Sequence, residues 1–258
     1  MNKLLFMGRK KYGAHALEWC VKNDWDVVAV VTDNHQESSP TANTARKYGL
    51  DLFDYESLLN KIDRNQIEFD VAVSYVYWRI LKKPLIKSPK LGILNFHPAP
   101  LPDLRGTGGF NLAILENHET FGVTVHYMDE GIDTGPIIEV ERFSINAKQE
   151  TAQSLEKKSH EKMVELFKKT LTRVKTEGIL DSQKMSGGRH LSRKEMEMLK
   201  KITPGDDVDA KIRAFWFPPY DGAYVEVNGK NYTLVNRAIL EDIEGDSEAI
   251  FKHTQKGS

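Results

Sequence analysis

Asn95 and His97 stand two residues apart, with Phe96 between them and Pro98 directly after. In a strand, residues at that spacing project from one face, and a proline stops the hydrogen-bond ladder. The pair therefore belongs at the carboxyl end of a strand, the edge of an open α/β sheet where ligands bind. An amide can donate a hydrogen bond to charge that develops on a reacting oxygen. An imidazole, whose ordinary pKa is about 6.5, can move a proton at neutral pH. Either residue alone is an ordinary turn or surface group; side by side at a strand end they call for a chemical explanation. His97 and His126 have no third and fourth partner at metal-ligand spacing, so no metal is expected.

The elements that must carry the pair follow from hydrophobic patterning. Short apolar runs at Lys3 to Met7, Val27 to Thr32, Phe69 to Ser74 and Gly92 to Phe96 alternate with helical patterns at Tyr12 to Asn23, Ser39 to Tyr48 and Tyr55 to Ile62. That alternation marks βαβ units and a Rossmann-like, mostly parallel sheet of the α/β class. A further helix is expected from Thr107 to Asn117, then two strands, Gly122 to Met128 and Pro136 to Phe143, around the turn Asp129-Glu130-Gly131-Ile132-Asp133-Thr134-Gly135. Leu155, Met163, Leu166, Phe167, Leu171 and Val174 form a helical stripe within Thr151 to Val174. The Gly-, Ser- and basic-rich stretch Asp181 to Arg193 reads as a connector, followed by a short helix near Glu195 to Ile202. Beyond it come a helical turn at Val208 to Phe215 and a β-hairpin about Asn228-Gly229. The polar tail Glu241 to Ser258 is expected to be partly disordered. The division that results is a catalytic domain over 1–180, a connector over 181–206 and a small hairpin and dimerisation unit over 207–258.

Composition narrows the class of function. The 258 residues carry 36 basic and 37 acidic side chains, a net charge of −1. That balance gives no global footprint for nucleic acid or an anionic membrane surface. A single cysteine, Cys20, excludes an intrachain disulfide. No apolar run reaches the length of a membrane span, so a cytoplasmic location is expected.

Two long motifs identify a family. The run Asn95-Phe96-His97-Pro98-Ala99-Pro100-Leu101-Pro102-Asp103-Leu104-Arg105-Gly106 resembles the N-x-H-x-S-L-L-P-x-x-R-G signature of formyltransferases that use N10-formyltetrahydrofolate; it departs at Pro100. Gly122 to Gly135 is similar to that family's second motif, G-V-T-x-H-x-M-D-x-G-x-D-T-G. The resemblance implies a catalytic triad of Asn95, His97 and Asp133, without a metal or a covalent enzyme intermediate. Asn95 would stabilise the charged formyl oxygen by roughly 2.7–4 kcal/mol. His97 would manage the amine's proton, and Asp133 would orient the imidazole. It also implies that the loop Tyr75 to Leu81 meets the pterin, with Trp78, Arg79, Ile80 and Asp129 as cofactor-binding residues; Trp78 and Ile80 could equally be ordinary packing.

The acceptor amine is ranked by what surrounds these motifs. The segment Arg213-Ala214-Phe215-Trp216-Phe217-Pro218-Pro219-Tyr220-Asp221-Gly222-Ala223-Tyr224 looks like a motif of nucleotide-sugar N-formyltransferases, and part of it is shared with methionyl-tRNA formyltransferases. The short hairpin and the acidic C-terminal end favour a sugar. The basic loop Gly8 to Gly13 differs from the Gly-rich phosphate loop of glycinamide ribonucleotide enzymes. The resemblance therefore implies a dTDP-linked amino dideoxy sugar, of the 4-amino-4,6-dideoxyglucose type, for surface polysaccharide and O-antigen synthesis, with methionyl-tRNA as the alternative acceptor. Arg9, Lys10, Tyr77 and Arg105 are the candidate substrate-binding residues. The aromatic cluster at 215–220 could be core, a dimer contact or a base-stacking platform. A homodimer is implied, with tetrahydrofolate as the second product.

Overall fold

The protein is described by a computed structural model over residues 2–32 and 39–246. Its centre is a seven-stranded sheet of order β3-β2-β1-β4-β5-β7-β8. These strands are β1 (Lys3–Gly8), β2 (Asp26–Val31), β3 (Leu52–Phe53), β4 (Val71–Tyr75), β5 (Ile93–His97), β7 (Thr120–Tyr127) and β8 (Ile137–Ser144); β6 (Leu104–Gly106) lies outside the sheet. The first five pair in parallel, while β7 runs antiparallel to both β5 and β8.

Successive residues of the inner strands face opposite layers, and both layers are apolar. Leu4, Phe6, Val73, Tyr75, Leu94 and Phe96 pack with Leu17 of α1 (Lys10–Lys22) and Phe167 of α6 (Ala152–Glu177). Leu5, Met7, Ala29, Ala72 and Ile93 pack with Tyr55, Leu58 and Leu59 of α3 (Tyr55–Asp63) and Leu85 of α4 (Lys83–Lys87). Continuous apolar strands are what coverage on two faces requires. Asn95 and His97 continue the parity of Ile93 to the carboxyl end of β5.

Helix α2 (Pro40–Lys47) starts on Ser39, whose hydroxyl accepts from Ala42 N. Helix α6 starts on a capping box in which Thr151 and Ser154 each satisfy the other's backbone N–H. All six stripe residues named from its sequence are buried. Helix α5 (Gly109–Leu115) and α8 (Val208–Phe215) form a third apolar cluster in which Leu104, Ala113, Phe121, Ala214 and Phe215 meet.

The C-terminal part holds β9 (Arg189–Leu191), α7 (Arg193–Leu199), the hairpin β10 (Tyr224–Val227) and β11 (Lys230–Thr233), and α9 (Arg237–Asp246). Asn228 and Gly229 both take positive φ, 51° and 75°, as a two-residue hairpin turn demands. Two elements add to the sequence patterning. The stretch from Glu241, assigned to a partly disordered tail, begins inside α9, which is anchored by Asn236 accepting from Ile239 N at 2.9 Å and by the buried side chain of Ile239. Residues 247–258 of that tail lie outside the described residues. Within the connector, 189–191 form β9, which pairs in parallel with β6.

Candidate active site

The site is built where β5 ends beside β7. In that antiparallel pair Asn95 faces His126 and His97 faces Thr124. Thr124 is fully buried; its hydroxyl donates to Ala99 O at 2.8 Å and accepts from Leu101 N at 2.9 Å, which pins the proline-rich segment after His97. After β7 the chain doubles back so tightly that a side chain at Gly135 would stand 1.8 Å from Tyr127 O. Asp129 closes this loop by accepting from Gly131 N at 3.0 Å and Thr134 Oγ1 at 2.6 Å. The loop carries Asp133, at a φ of 49°, back over the end of β5.

The contacts to carbonyl oxygens show where each imidazole donates. A carbonyl oxygen only accepts, so His126 donates Nδ1–H to Tyr127 O at 2.8 Å. In the neutral ring Nε2 is then the acceptor for Asn95 Nδ2, 3.0 Å away. The second amide hydrogen of Asn95 has a longer contact, 3.4 Å, with Asp133 Oδ1. A nearer acceptor in the cavity could take that hydrogen. His97 likewise donates Nε2–H to Leu104 O at 3.1 Å and turns a bare Nδ1 toward Asp133 Oδ2, 3.6 Å away. Asp133 Oδ2 itself accepts from Gly106 N at 3.0 Å.

Electrostatics match this arrangement. Burial pushes the His97 imidazole below its ordinary value, with His126 adding to the effect, against the opposing pull of Asp133 and the Leu104 carbonyl. Burial alone would raise Asp133, but the positive charge that His97 or His126 can carry, together with the Gly106 N–H, holds it well below the usual carboxylate range. A neutral imidazole thus rests beside an ionised carboxylate, ready to gain a proton and be stabilised when it does.

A cavity of about 440 Å³ opens on these groups. Asn95, His97 and Asp133 line it, as do Trp78, Arg79, Ile80 and Asp129, and also Arg9 and Tyr77. Trp78 and Ile80 are 51% and 66% exposed, a large amount of apolar surface to leave in water at a cavity rim. Thr107 lines this cavity and a second one of about 320 Å³, whose walls include Lys10, Phe110, Arg193, Lys200, Phe217 and Tyr220. Lys10 lies 3.4 Å from Glu156 and 5.7 Å from the ring centre of Phe217. Arg105 lines neither cavity: its Nη2 donates to Gly188 O at 3.4 Å. The aromatic cluster divides, with Phe215 in the core and Tyr220 exposed at the second cavity.

Sequence spacing argues against a metal at His126 and does not reveal its place beside Asn95. The signal available was the antiparallel register of the two motifs, which sets position 126 opposite 95. No group of three or more His, Cys, Asp or Glu side chains suited to a metal ion occurs among the described residues. No helix among them is long and apolar enough to cross a membrane.

Comparison with known proteins agrees with the geometry. Residues 2–171 match the model of a family described as formyl transferase. The methionyl-tRNA formyltransferase of Parvibaculum lavamentivorans is 30% identical over 239 residues, covering 87% of this chain and 76% of that protein. The crystal structure of an N-formyltransferase from Helicobacter canadensis, in complex with folinic acid and dTDP-3-aminofucose, superimposes with a TM-score of 0.75 at 27% identity, covering 90% of this chain and 86% of that one. A 4-N formyltransferase from Francisella tularensis shares the fold, with a TM-score of 0.77, 22% identity and coverage of 91% and 97%.

Proposed function

The chain belongs to the formyl transferase family, whose formyl donor is N10-formyltetrahydrofolate, and from that premise we propose that it formylates the amino group of a nucleotide-linked amino dideoxy sugar. The observation that carries the reading is a pair of cavities that share Thr107 in their walls, one at the polar cluster and one lined by Lys10, Arg193 and Lys200, the carboxylates Glu156, Glu197 and Asp221, and aromatic rings. The donor would supply the formyl group and a flat pterin. The first cavity suits it, with Trp78 and Ile80 offering apolar surface at the rim and Arg79 and Asp129 offering polar contacts.

Asn95 would donate its second amide hydrogen to the formyl oxygen as charge grows there. His97 Nδ1 would take the proton that the attacking amine loses, and Asp133 would then face an imidazolium. The same proton can be handed to the departing nitrogen, which returns His97 to its resting state.

For the acceptor, Arg9, Lys10 and Tyr77 are the substrate-binding residues we favour. Helix α1 begins at Lys10 with no side-chain cap, so its first N–H groups remain available to an anion such as a pyrophosphate. Phe217 and Tyr220, with ring centres 5.8 Å apart, offer faces for a base. The dTDP-linked 4-amino-4,6-dideoxyglucose type and a role in O-antigen synthesis are the finer form of this reading. A cytoplasmic homodimer is its setting, with Val227 and Tyr232 of the hairpin, each about half exposed, as contact residues of the 207–258 unit. The resemblance to methionyl-tRNA formyltransferase supports a second reading, with methionyl-tRNA as the acceptor. Incubating the purified chain and N10-formyltetrahydrofolate with each acceptor in turn, and weighing the products, tests the choice; the sugar is expected to carry the formyl group.

A further inference from the structure

The groups that hold His97 and Asp133 in place are both backbone atoms of one very short strand. Leu104 O, at the first residue of β6, accepts from His97 Nε2, and Gly106 N, at its last, donates to Asp133 Oδ2. Three residues cannot fix their own conformation. The strand that pairs with β6 is β9, in register Leu104 with Arg189, Arg105 with His190 and Gly106 with Leu191. The pairing continues at both ends, where Arg189 N donates to Asp103 O at 3.1 Å and Thr107 N to Leu191 O at 3.0 Å. Side chains reinforce it: Thr107 Oγ1 donates to Leu191 O at 3.2 Å, and Arg105 Nη2 to Gly188 O.

At Gly188 the two segments lie too close for a side chain. A Cβ placed there would stand 1.7 Å from Pro102 O, and φ at this residue is +81°. Neighbouring Gly187 has a similar φ of +72° but open space around it. Gly188 therefore carries a steric demand from the active-site segment that Gly187 does not. Beyond β9 the chain runs into α7, whose Arg193 and Met196 wall the second cavity.

We propose that β9 is a positioning strap for the catalytic pair: it sets the place of β6, and β6 aims His97 and Asp133 through the Leu104 carbonyl and the Gly106 amide. The proposal rests on the reading of His97 and Asp133 as the catalytic pair. Arg105 then belongs to the strap. The stretch read from sequence as a connector becomes part of the machinery, although none of residues 181–191 lines the catalytic cavity.

The test compares Gly188→Ala with Gly187→Ala in the full chain, measuring kcat, KM for the formyl donor and the pH dependence of kcat. The charged and titratable groups around His97 are Asp133 and His126, with Arg9, Arg79 and Asp129 lining the same cavity. Gly188→Ala must push β9 from Pro102 and displace β6. A shift on the order of 1 Å lowers kcat by up to about 100-fold, with the donor KM nearly unchanged. The acid limb moves from its wild-type position, because the imidazolium loses its carbonyl acceptor and Asp133 its backbone donor. Gly187→Ala keeps the wild-type limb. A Gly188→Ala enzyme whose acid limb is unmoved overturns the strap. Should that variant give no folded protein, Leu191→Ala removes a buried contact on Gly108 and decides in the same way, with a smaller shift expected and an unmoved limb overturning the proposal. His97→Ala separates the two levels of inference. If it is inactive while Gly188→Ala keeps the wild-type limb, the strap alone fails; if it retains near-wild-type turnover, the catalytic reading fails with it.

Discussion

His126 holds the amide of Asn95 in one orientation, with Nε2 and Nδ2 3.0 Å apart across β5 and β7. The ring is fixed in turn by donating Nδ1–H to Tyr127 O. The amide therefore turns its nitrogen, not its oxygen, toward His126 and Asp133. His126→Phe keeps an aromatic ring in this buried position but removes the acceptor, leaving Asn95 free to flip. We expect kcat to fall by about 10²-fold, in line with loss of an aligned oxyanion donor, and the donor KM to change far less. Steady-state kinetics with saturating acceptor check this; an unchanged kcat contradicts the role of His126.

The acid limb of kcat/KM should lie below the ordinary imidazole range, because burial depresses His97 and the neutral form is the active one. Stability follows the same sign. The unfolded chain protonates this imidazole near its ordinary value of about 6.5, and the folded chain protonates it at lower pH. The stabilisation is complete above the unfolded value and is lost as pH falls through the folded one. His97→Gln should flatten the melting-temperature profile in that window, measured by thermal melts between weakly acidic and neutral pH. A wild-type acid limb above the ordinary imidazole range contradicts the assignment.

Asp133→Asn keeps an oxygen that can accept from Gly106 N, so the loop and β6 should retain their places. The charge that would face protonated His97 is gone. By analogy with the loss of a carboxylate behind a catalytic imidazole, turnover should drop by about 10³- to 10⁴-fold, with a melting temperature near that of the wild type. A variant that melts normally and turns over normally would remove Asp133 from the chemistry.

The long elements were legible because patterning and packing agree. The inner strands are apolar on both faces, and the buried stripe from Leu155 to Val174 marks α6. What escaped was short or set by distant partners. β3 has two residues, α4 five, and β6 and β9 three each, too few for a period to show. β6 and β9 exist because they pair with each other across more than eighty positions of chain. The motif residues Asn95, His97 and Asp133 do converge, as do Trp78, Arg79, Ile80 and Asp129 at the same cavity. Arg105 is turned away into the strap, since nothing in a sequence says which way a side chain next to a proline-rich turn will face. The partnership of His126 with Asn95 depends on cross-strand register, which spacing along the chain does not reveal.

A specificity ratio decides which acceptor the protein uses. Purified protein is given N10-formyltetrahydrofolate with dTDP-linked 3-amino and 4-amino dideoxy sugars and, separately, with methionyl-tRNA, and kcat/KM is determined for each by mass spectrometry of the formylated product. We expect at least one dTDP-amino sugar to be formylated with a kcat/KM within the ordinary enzymic range of about 10⁴–10⁸ M⁻¹s⁻¹, and methionyl-tRNA to remain unmodified. Turnover of methionyl-tRNA with every amino sugar left unmodified would contradict the assignment.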